Sequence, residues 1–499
     1  MQEPTTAHYE AAAAKLAPES RAFIGGQFVP AQSGKTFTTT NPANGKLLAR
    51  VAQCDGADVD LAVKAARHAF QSGTWSRMPP KERKKVLLHL ALLMERDAEE
   101  LALLEVLDNG KPISDARSVD IPDSIETLRW HAEAIDKLYD QVSPTASDIV
   151  SMIIREPIGV VGAVLPWNFP IFVAMWKLAP ALAGGNSIVL KPAEQTSLTA
   201  IKLAALAAEA GIPEGVFNVV PGYGETAGQA IGRHMDIDCV SFTGSGEVGR
   251  QFLRYAADSN IKRVVLELGG KSPAIVMNDA SNLRHVAEQI AIGILFCQGE
   301  NCSAGSRLIV QNGIKDRLLE ELIPVFKTWL VGNPLNPKTK VGAMIEEAHL
   351  DKVLGYIQAG HIEGAHLLLG GQRTLLESGG YFVEPTIFDK VRNDMTIARE
   401  EIFGPILSVI EVANAQEAIQ VANDTSYGLA SSLYTDNLNT AHTIARSIHA
   451  GTVSVNCFSE GDMGVPFGGY KQSGFGGRDK GTAAHDQYLQ TKSIWIQLK

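Results

Sequence analysis

At 499 residues, 45% of them hydrophobic and 20% charged, the chain is long enough to bury two or three cores rather than one. The net charge of −10, with no dense Lys/Arg block, disfavours a nucleic-acid partner. No apolar run approaches the ~20 residues that span a bilayer, and the five cysteines (Cys54, Cys239, Cys297, Cys302 and Cys457) form no CxxC pair, against a disulfide framework or a zinc site. A cytoplasmic protein without a metal, a membrane anchor or a signal segment is the simplest expectation.

Residues 1–20 read as a loosely held, mostly polar arm. Segments 22–29 and 35–40 read as hairpin strands about Gly25-Gly26, followed by turn chemistry at Asn41-Pro42-Ala43-Asn44-Gly45. Helices are expected over 57–70, from Pro79-Pro80 to Met94, and over 97–108, the last stopped by Asn109-Gly110-Lys111-Pro112. An amphipathic helix covers 122–139. Segment 149–155 is a strand outside the repeat that follows, a candidate edge arm for oligomer contact.

From Gly159 the period changes. Strands over 159–165, 187–190, 216–220, 239–242 and 264–266 alternate with helices opening at Pro170, Ser197, Thr226 and Val248. That alternation predicts a parallel sheet covered on both faces, with ligands at the carboxyl ends of its strands. A second α/β region runs over 272–466, with helices at 314–330 and 350–359 and apolar segments at 407–412 and 452–455. The alternating tail 491–498 is able to pair with 149–155, within or between subunits.

Segment 296–307, FCQGENCSAGSR, joins an apolar helical run to a strand. Small residues around Cys302 let backbone N–H groups point inward, which suits a thiolate nucleophile beside an oxyanion site. Alone, a loop with two cysteines carries little. Gly244-Ser245-Gly246-Glu247-Val248-Gly249 matches G-x-G-x-x-G between a strand and a helix, so a dinucleotide phosphate can sit on the helix N-terminus. The acidic residue that this fingerprint places about 20 positions on falls near Glu267. Lys191 and Glu194, just past strand 187–190, are either ribose contacts or solvated loop charges.

In Pro166-Trp167-Asn168-Phe169-Pro170, Asn168 ends a strand and can donate two N–H bonds to an oxyanion. Phe169, Val173 and Trp176 share one face of the following helix, as core or as channel wall. Glu267-Leu268-Gly269-Gly270-Lys271-Ser272-Pro273 ends a buried strand on a carboxylate, either a base with its pKa raised by burial or a turn cap. Glu400-Glu401-Ile402-Phe403-Gly404-Pro405 and Pro466-Phe467-Gly468-Gly469-Tyr470-Lys471 each fix a ring on a turn.

Taken in order, these segments resemble the NAD(P)-dependent aldehyde dehydrogenase superfamily across nearly the whole chain. Within it the chain is most similar in flavour to bacterial γ-glutamylaminobutyraldehyde and guanidinobutyraldehyde enzymes. The resemblance implies an α/β fold with a Rossmann-like cofactor domain (1–138 and 156–267), a second α/β catalytic domain (268–475) and a small β oligomerisation arm (139–155 and 484–499), assembled as a homodimer or homotetramer. It implies Cys302 as nucleophile, and Glu267 as general base rather than ribose contact. Asn168 with the Cys302 N–H is the implied oxyanion hole. Lys191 and Glu194 are implied at the adenosine ribose, Ser245 at the pyrophosphate, and Glu401 and Phe403 at the nicotinamide ribose and ring. Val164, Trp167, Gly224, Phe242, Gly244, Leu268 and Gly269 complete the implied cofactor site. Phe169, Val173, Trp176, Asn301, Ser303, Ser459 and Phe467 are the implied aldehyde contacts.

NAD is the expected cofactor and NADP the second candidate, because the Glu194 carboxylate repels a 2′-phosphate. Glu267 favours hydrolysis over transfer to CoA. Three departures stand out. Gly246 replaces a bulkier residue. Cys297 occupies an expected Asn position, as a second reactive thiol or a buried structural residue. Segment 474–478 is one residue longer than usual, which loosens the match of Asp479 to Lys177 in a proton relay. Glu460 and Asp462 at the channel mouth suit an ω-amino, guanidino or γ-glutamylamino aldehyde. An aromatic channel of Phe169, Trp176, Phe458 and Phe467 suits an aryl or indolyl acetaldehyde such as indole-3-acetaldehyde, or a medium-chain aliphatic one. The readings from other classes are a non-catalytic, crystallin-like member of the fold and a thiol acyltransferase or esterase.

Overall fold

Two large sheets meet edge to edge, and the loops at their junction carry the residues singled out above. The computed structural model describes residues 4–499. In the 8-stranded sheet the parallel core runs from Phe217–Val219 through Ser187–Lys191, Val160–Val164 and Cys239–Gly244 to Arg263–Leu268. The chain enters at Val160–Val164, winds outward one way, then returns to its other side. A crevice therefore opens at the carboxyl ends of Val160–Val164 and Cys239–Gly244, where the winding reverses. Both strands' centres are buried on both faces, as continuous runs of Val, Ala and Phe require.

The 7-stranded sheet runs in the order His366–Leu369, Thr386–Asp389, Ile406–Val412, Arg307–Gln311, Pro273–Val276, Ala430–Tyr434, Thr452–Val455, parallel except at its first strand. Its amino-terminal edge gathers the loops before Pro273, Arg307 and Ile406. These loops face the carboxyl edge of the first sheet. Helix Pro170–Gly184 packs against the first sheet, buried along almost its entire length; Pro170 opens it and Gly185, at φ 93°, closes it.

In a 3-stranded sheet, Leu489–Gln497 pairs antiparallel with Ile149–Pro157, matching the expected pairing within one chain. Segment 149–155 is not an edge, however: Gln141–Ser143 adds to its other side and makes it the central strand.

Two further expectations need correction. Segment 6–13 is a helix, not a loose arm (residues 1–3 lie outside the described ones): Thr5 caps it by accepting from the His8 N–H, and Tyr9, 1% exposed, anchors it with an Arg117 bond to its hydroxyl. One buried ring and a cap outweigh the polar composition. Ala22–Ile24 does form a hairpin with Gln27–Val29, but Thr36–Thr40 pairs with Leu47–Ala52, a strand that the sequence reading missed. No helix among the described residues is long and apolar enough to cross a membrane.

Candidate active site

The backbone before Cys302 is held in an uncommon conformation. Helix Leu283–Leu295 ends, and Cys297, Gln298 and Gly299 follow at φ 51°, 57° and 75°. For two residues with a Cβ this left-handed stretch costs ~1–3 kcal/mol each, so its surroundings must enforce it. Gln298 Nε2 donates to the Ala343 carbonyl (3.2 Å), and the Cys297 thiol donates to the Asn168 carbonyl (3.5 Å). The Glu300 carboxyl accepts from the Ile345 N–H (3.0 Å). Cys297 is fully buried, packs into the first core and does not line the cavity; burial pushes its thiol well up.

The result is that Cys302, half-buried, faces a cavity of about 1080 Å³. A Cβ on Gly270 would strike the Cys302 carbonyl oxygen, so only glycine lets the Glu267 strand pass this close. Asn168, 4% exposed, donates one amide N–H to the Glu300 carbonyl (2.8 Å), which orients the group and leaves its second N–H for the cavity.

Glu267 lines the same cavity. It is 3% exposed, and neither carboxyl oxygen has a hydrogen-bond partner. Burial pushes its pKa well up and the charge of Asp479 adds to this, while Lys177 and Arg478 oppose it. Gly468, at φ 155°, lies against it: a Cβ there would come 2.5 Å from Glu267 Oε1. Lys177 Nζ and Asp479 Oδ2 do pair, at 2.7 Å and with both side chains fully buried, despite the longer loop before Asp479. Burial and the Glu460, Glu401 and Glu267 carboxylates push the Cys302 thiol well up, so a base is required to ionise it.

All residues expected at the cofactor line this one cavity, from Val164 and Trp167 through Lys191, Glu194, Gly224, Phe242, Gly244, Ser245, Leu268 and Gly269 to Glu401 and Phe403. Lys191 Nζ lies 3.2 Å from Glu194 Oε2 at the end of its strand. Ser245 caps helix Gly246–Ala257, accepting from the Val248 N–H at 3.3 Å. Glu401 Oε1 accepts the Gly270 N–H (2.9 Å), and burial raises its carboxyl to about 7. Phe403, at φ 61°, sets its ring edge-on to Trp167 (centroids 5.2 Å, 89°). His349 Nε2 donates to the Phe403 carbonyl (2.7 Å), and burial lowers its imidazole to about 4, leaving it neutral.

On the aldehyde side, Phe169, Val173, Trp176, Asn301, Ser459 and Phe467 line the cavity. Ser303 does not. It is fully buried behind the loop, its hydroxyl shared between Asn301 Oδ1 (3.0 Å) and Glu460 Oε1. Glu460 lines the channel, whereas Asp462 is exposed outside it. The second channel carboxylate is Asp123, on helix Ile121–Ala134. No local signal in the sequence marked it, because its helix reaches the channel only through packing against Pro170–Gly184. Lys480 was also missed; it lies over the Trp176 and Phe467 rings at 5.7 and 5.8 Å.

A Cys beside an amide donor and a buried carboxylate, joined to a dinucleotide-type crevice, defines a thiol-dependent oxidoreductase site. The profile of the aldehyde dehydrogenase family matches residues 28–494, and the chain belongs to that family. It is 54% identical to an aminoacetaldehyde dehydrogenase of Pseudomonas aeruginosa, over 98% of this chain and 98% of that one. It is 48% identical to the NADP/NAD-dependent aldehyde dehydrogenase PuuC of Escherichia coli, over 99% of both. An indole-3-acetaldehyde dehydrogenase solved with NAD+ is 55% identical, with a TM-score of 0.98 over 99% of this chain and 100% of that one.

Proposed function

We propose that the chain oxidises an aldehyde bearing a cationic tail to the carboxylic acid, with NAD, through a thioester on Cys302. The observation that carries this is the single cavity holding Cys302, Asn168 and Glu267 at one end of a crevice whose far walls are Lys191, Glu194 and the Ser245 helix N-terminus. That crevice fits a dinucleotide: a helix N-terminus for phosphate, a Lys–Glu pair for ribose hydroxyls, and a carboxylate and a ring at Glu401 and Phe403 for the reactive end. NAD, when bound, supplies the hydride acceptor.

Glu267 takes the Cys302 proton, directly or through water. The thiolate attacks the aldehyde carbon, and the free Asn168 amide N–H with the Cys302 N–H stabilises the oxyanion. After oxidation, Glu267 activates a water to hydrolyse the thioester, and the acid leaves. The two channel carboxylates, Asp123 and Glu460, support a cationic tail, as does the aminoacetaldehyde relative. A second reading, an aryl or indolyl aldehyde, draws on the ring lining of Phe169, Phe172, Trp176, Phe296, Phe458 and Phe467 and on the indole-3-acetaldehyde relative.

We assign 1–138 and 156–267 to cofactor binding, 268–475 to catalysis, and 139–155 with 484–499 to subunit contact. Exposed Val142, Trp495 and Ile496 on the small sheet, with Tyr139 in the loop before it, support a dimer or tetramer. Five free cysteines support a reducing, cytoplasmic setting.

The test is kcat/KM with NAD across amino, guanidino, indolyl and aliphatic aldehydes, with Glu267→Gln beside the wild type. Amino or guanidino substrates should lead. Glu267→Gln should keep NAD affinity while turnover falls by ~100-fold or more. Indolyl preference would select the second reading, and no NADH from any aldehyde would leave a non-catalytic protein. Turnover independent of NAD would mark an esterase.

A further inference from the structure

Glu460 touches both ends of the reaction. Its carboxylate lines the channel that Asp123 also faces, where the substrate's tail must lie. It also accepts from the hydroxyl of Ser303, the residue next to the nucleophile. The single Ser303 hydroxyl proton has two acceptors within reach, Glu460 Oε1 and Asn301 Oδ1 (3.0 Å). Lys480 feels the Glu460 charge but does not bond the carboxylate: its Nζ donates to the backbone carbonyls of Glu460 (2.9 Å) and Gly461 (2.8 Å).

We propose that Glu460 couples tail recognition to nucleophile activation: a cationic tail that pairs with its carboxylate cancels the negative field on Cys302, so the right substrate helps to ionise its own nucleophile. This rests on the cationic-tail reading above. Only a proton moves, from the Cys302 thiol to Glu267 or to water; no covalent bond to the tail forms.

The charges around the pair are consistent with this. Among the groups acting on Cys302 through charge, Glu460 is the largest, ahead of Glu401 and Glu267. Asp123 shares the field of Lys480 with Glu460, so two carboxylates face one cation in the channel and a second cation is welcome there. Asp123 itself is raised by burial and by Asp120, Glu126 and Glu460, and lowered by Lys480. Glu401 and Glu267 also raise the Cys302 thiol, and both are carboxylates that the mechanism above already uses.

The experiment follows the Cys302 thiolate of the wild type across pH by its ultraviolet absorbance, against a Cys302→Ala background, and by its alkylation with iodoacetamide. Butylammonium serves as a tail without an aldehyde, and butanol as its neutral match. Butylammonium should move the thiolate curve to lower pH, raising the thiolate fraction at neutral pH by roughly three- to tenfold. Butanol should not. Glu460→Gln should show the lowered curve without any amine and respond to none, whereas Asp123→Asn should still respond. An absorbance curve that butylammonium leaves in place overturns the proposal, even where crowding of the channel slows alkylation. Equal kcat/KM for amino and neutral aldehydes would defeat the substrate reading itself; an amino preference with an unmoved curve would defeat only the coupling.

Discussion

Replacing Lys177 by Met tests the buried charge network behind the base. Lys177 and Asp479 are 2.7 Å apart and fully buried. The single variant strands Asp479 without its cation, its remaining side-chain contact being Gln487 Nε2 at 3.4 Å from Oδ1. An uncompensated buried charge costs ~3–5 kcal/mol, whereas removal of both charges is close to neutral. Lys177→Met should therefore lower stability by that amount, and Lys177→Met/Asp479→Asn should recover most of it. The same cycle acts on catalysis. Glu267 works as a base only when deprotonated; Lys177 lowers its pKa and Asp479 raises it. Without Lys177 the pKa rises, so the acid limb of kcat/KM moves to higher pH; in the double variant it moves back. Urea unfolding midpoints and pH–rate profiles of the four proteins provide the check. Equal losses of stability in the single and double variants, or an acid limb that stays or moves to lower pH in Lys177→Met, would refute the reasoning.

Asn168→Ala should lower the rate of NADH formation in a single turnover by ~100- to 1000-fold, with NAD affinity kept; a loss below threefold would remove Asn168 from the oxyanion hole. Glu194→Gln should raise the kcat/KM ratio for NADP over NAD by about tenfold, since it removes one charge facing the 2′-phosphate, and an unchanged ratio would place the adenosine ribose elsewhere. His131 Nδ1 and His485 Nε2 meet at 2.9 Å in the core, and burial lowers the His485 pKa from 6.5 to about 4. The unfolded chain thus binds the proton first as pH falls below 6.5, so on the order of 3 kcal/mol of stability, present above that pH, should drain away by about pH 4. Denaturation midpoints across this window should depend less steeply on pH in His485→Gln, with His131, also held below its ordinary pKa by burial, keeping the rest of the slope.

The local chemistry of the chain was legible without coordinates. The strand–helix alternation from Gly159, the Pro170 start and the Gly110 stop each depend on a few neighbouring residues, so periodicity and capping determine them. The motif order identified the family for the same reason: Asn168, Glu267 and Cys302 each sit in a short segment whose turn residues are themselves diagnostic. Tertiary structure decided what meets what. Lys177 and Asp479 pair across 302 residues, and Tyr9 pins a segment whose composition reads as loose. Asp123 enters the channel from a helix face that looks like any solvated one, while Asp462 and Ser303, both within two residues of functional ones, are turned out of it. Burial and long-range charge pairing have no local period, so only the packed chain places a carboxylate beside Ser303, a base without partners beside the thiol, and the carboxyl edge of one sheet against the amino edge of the other.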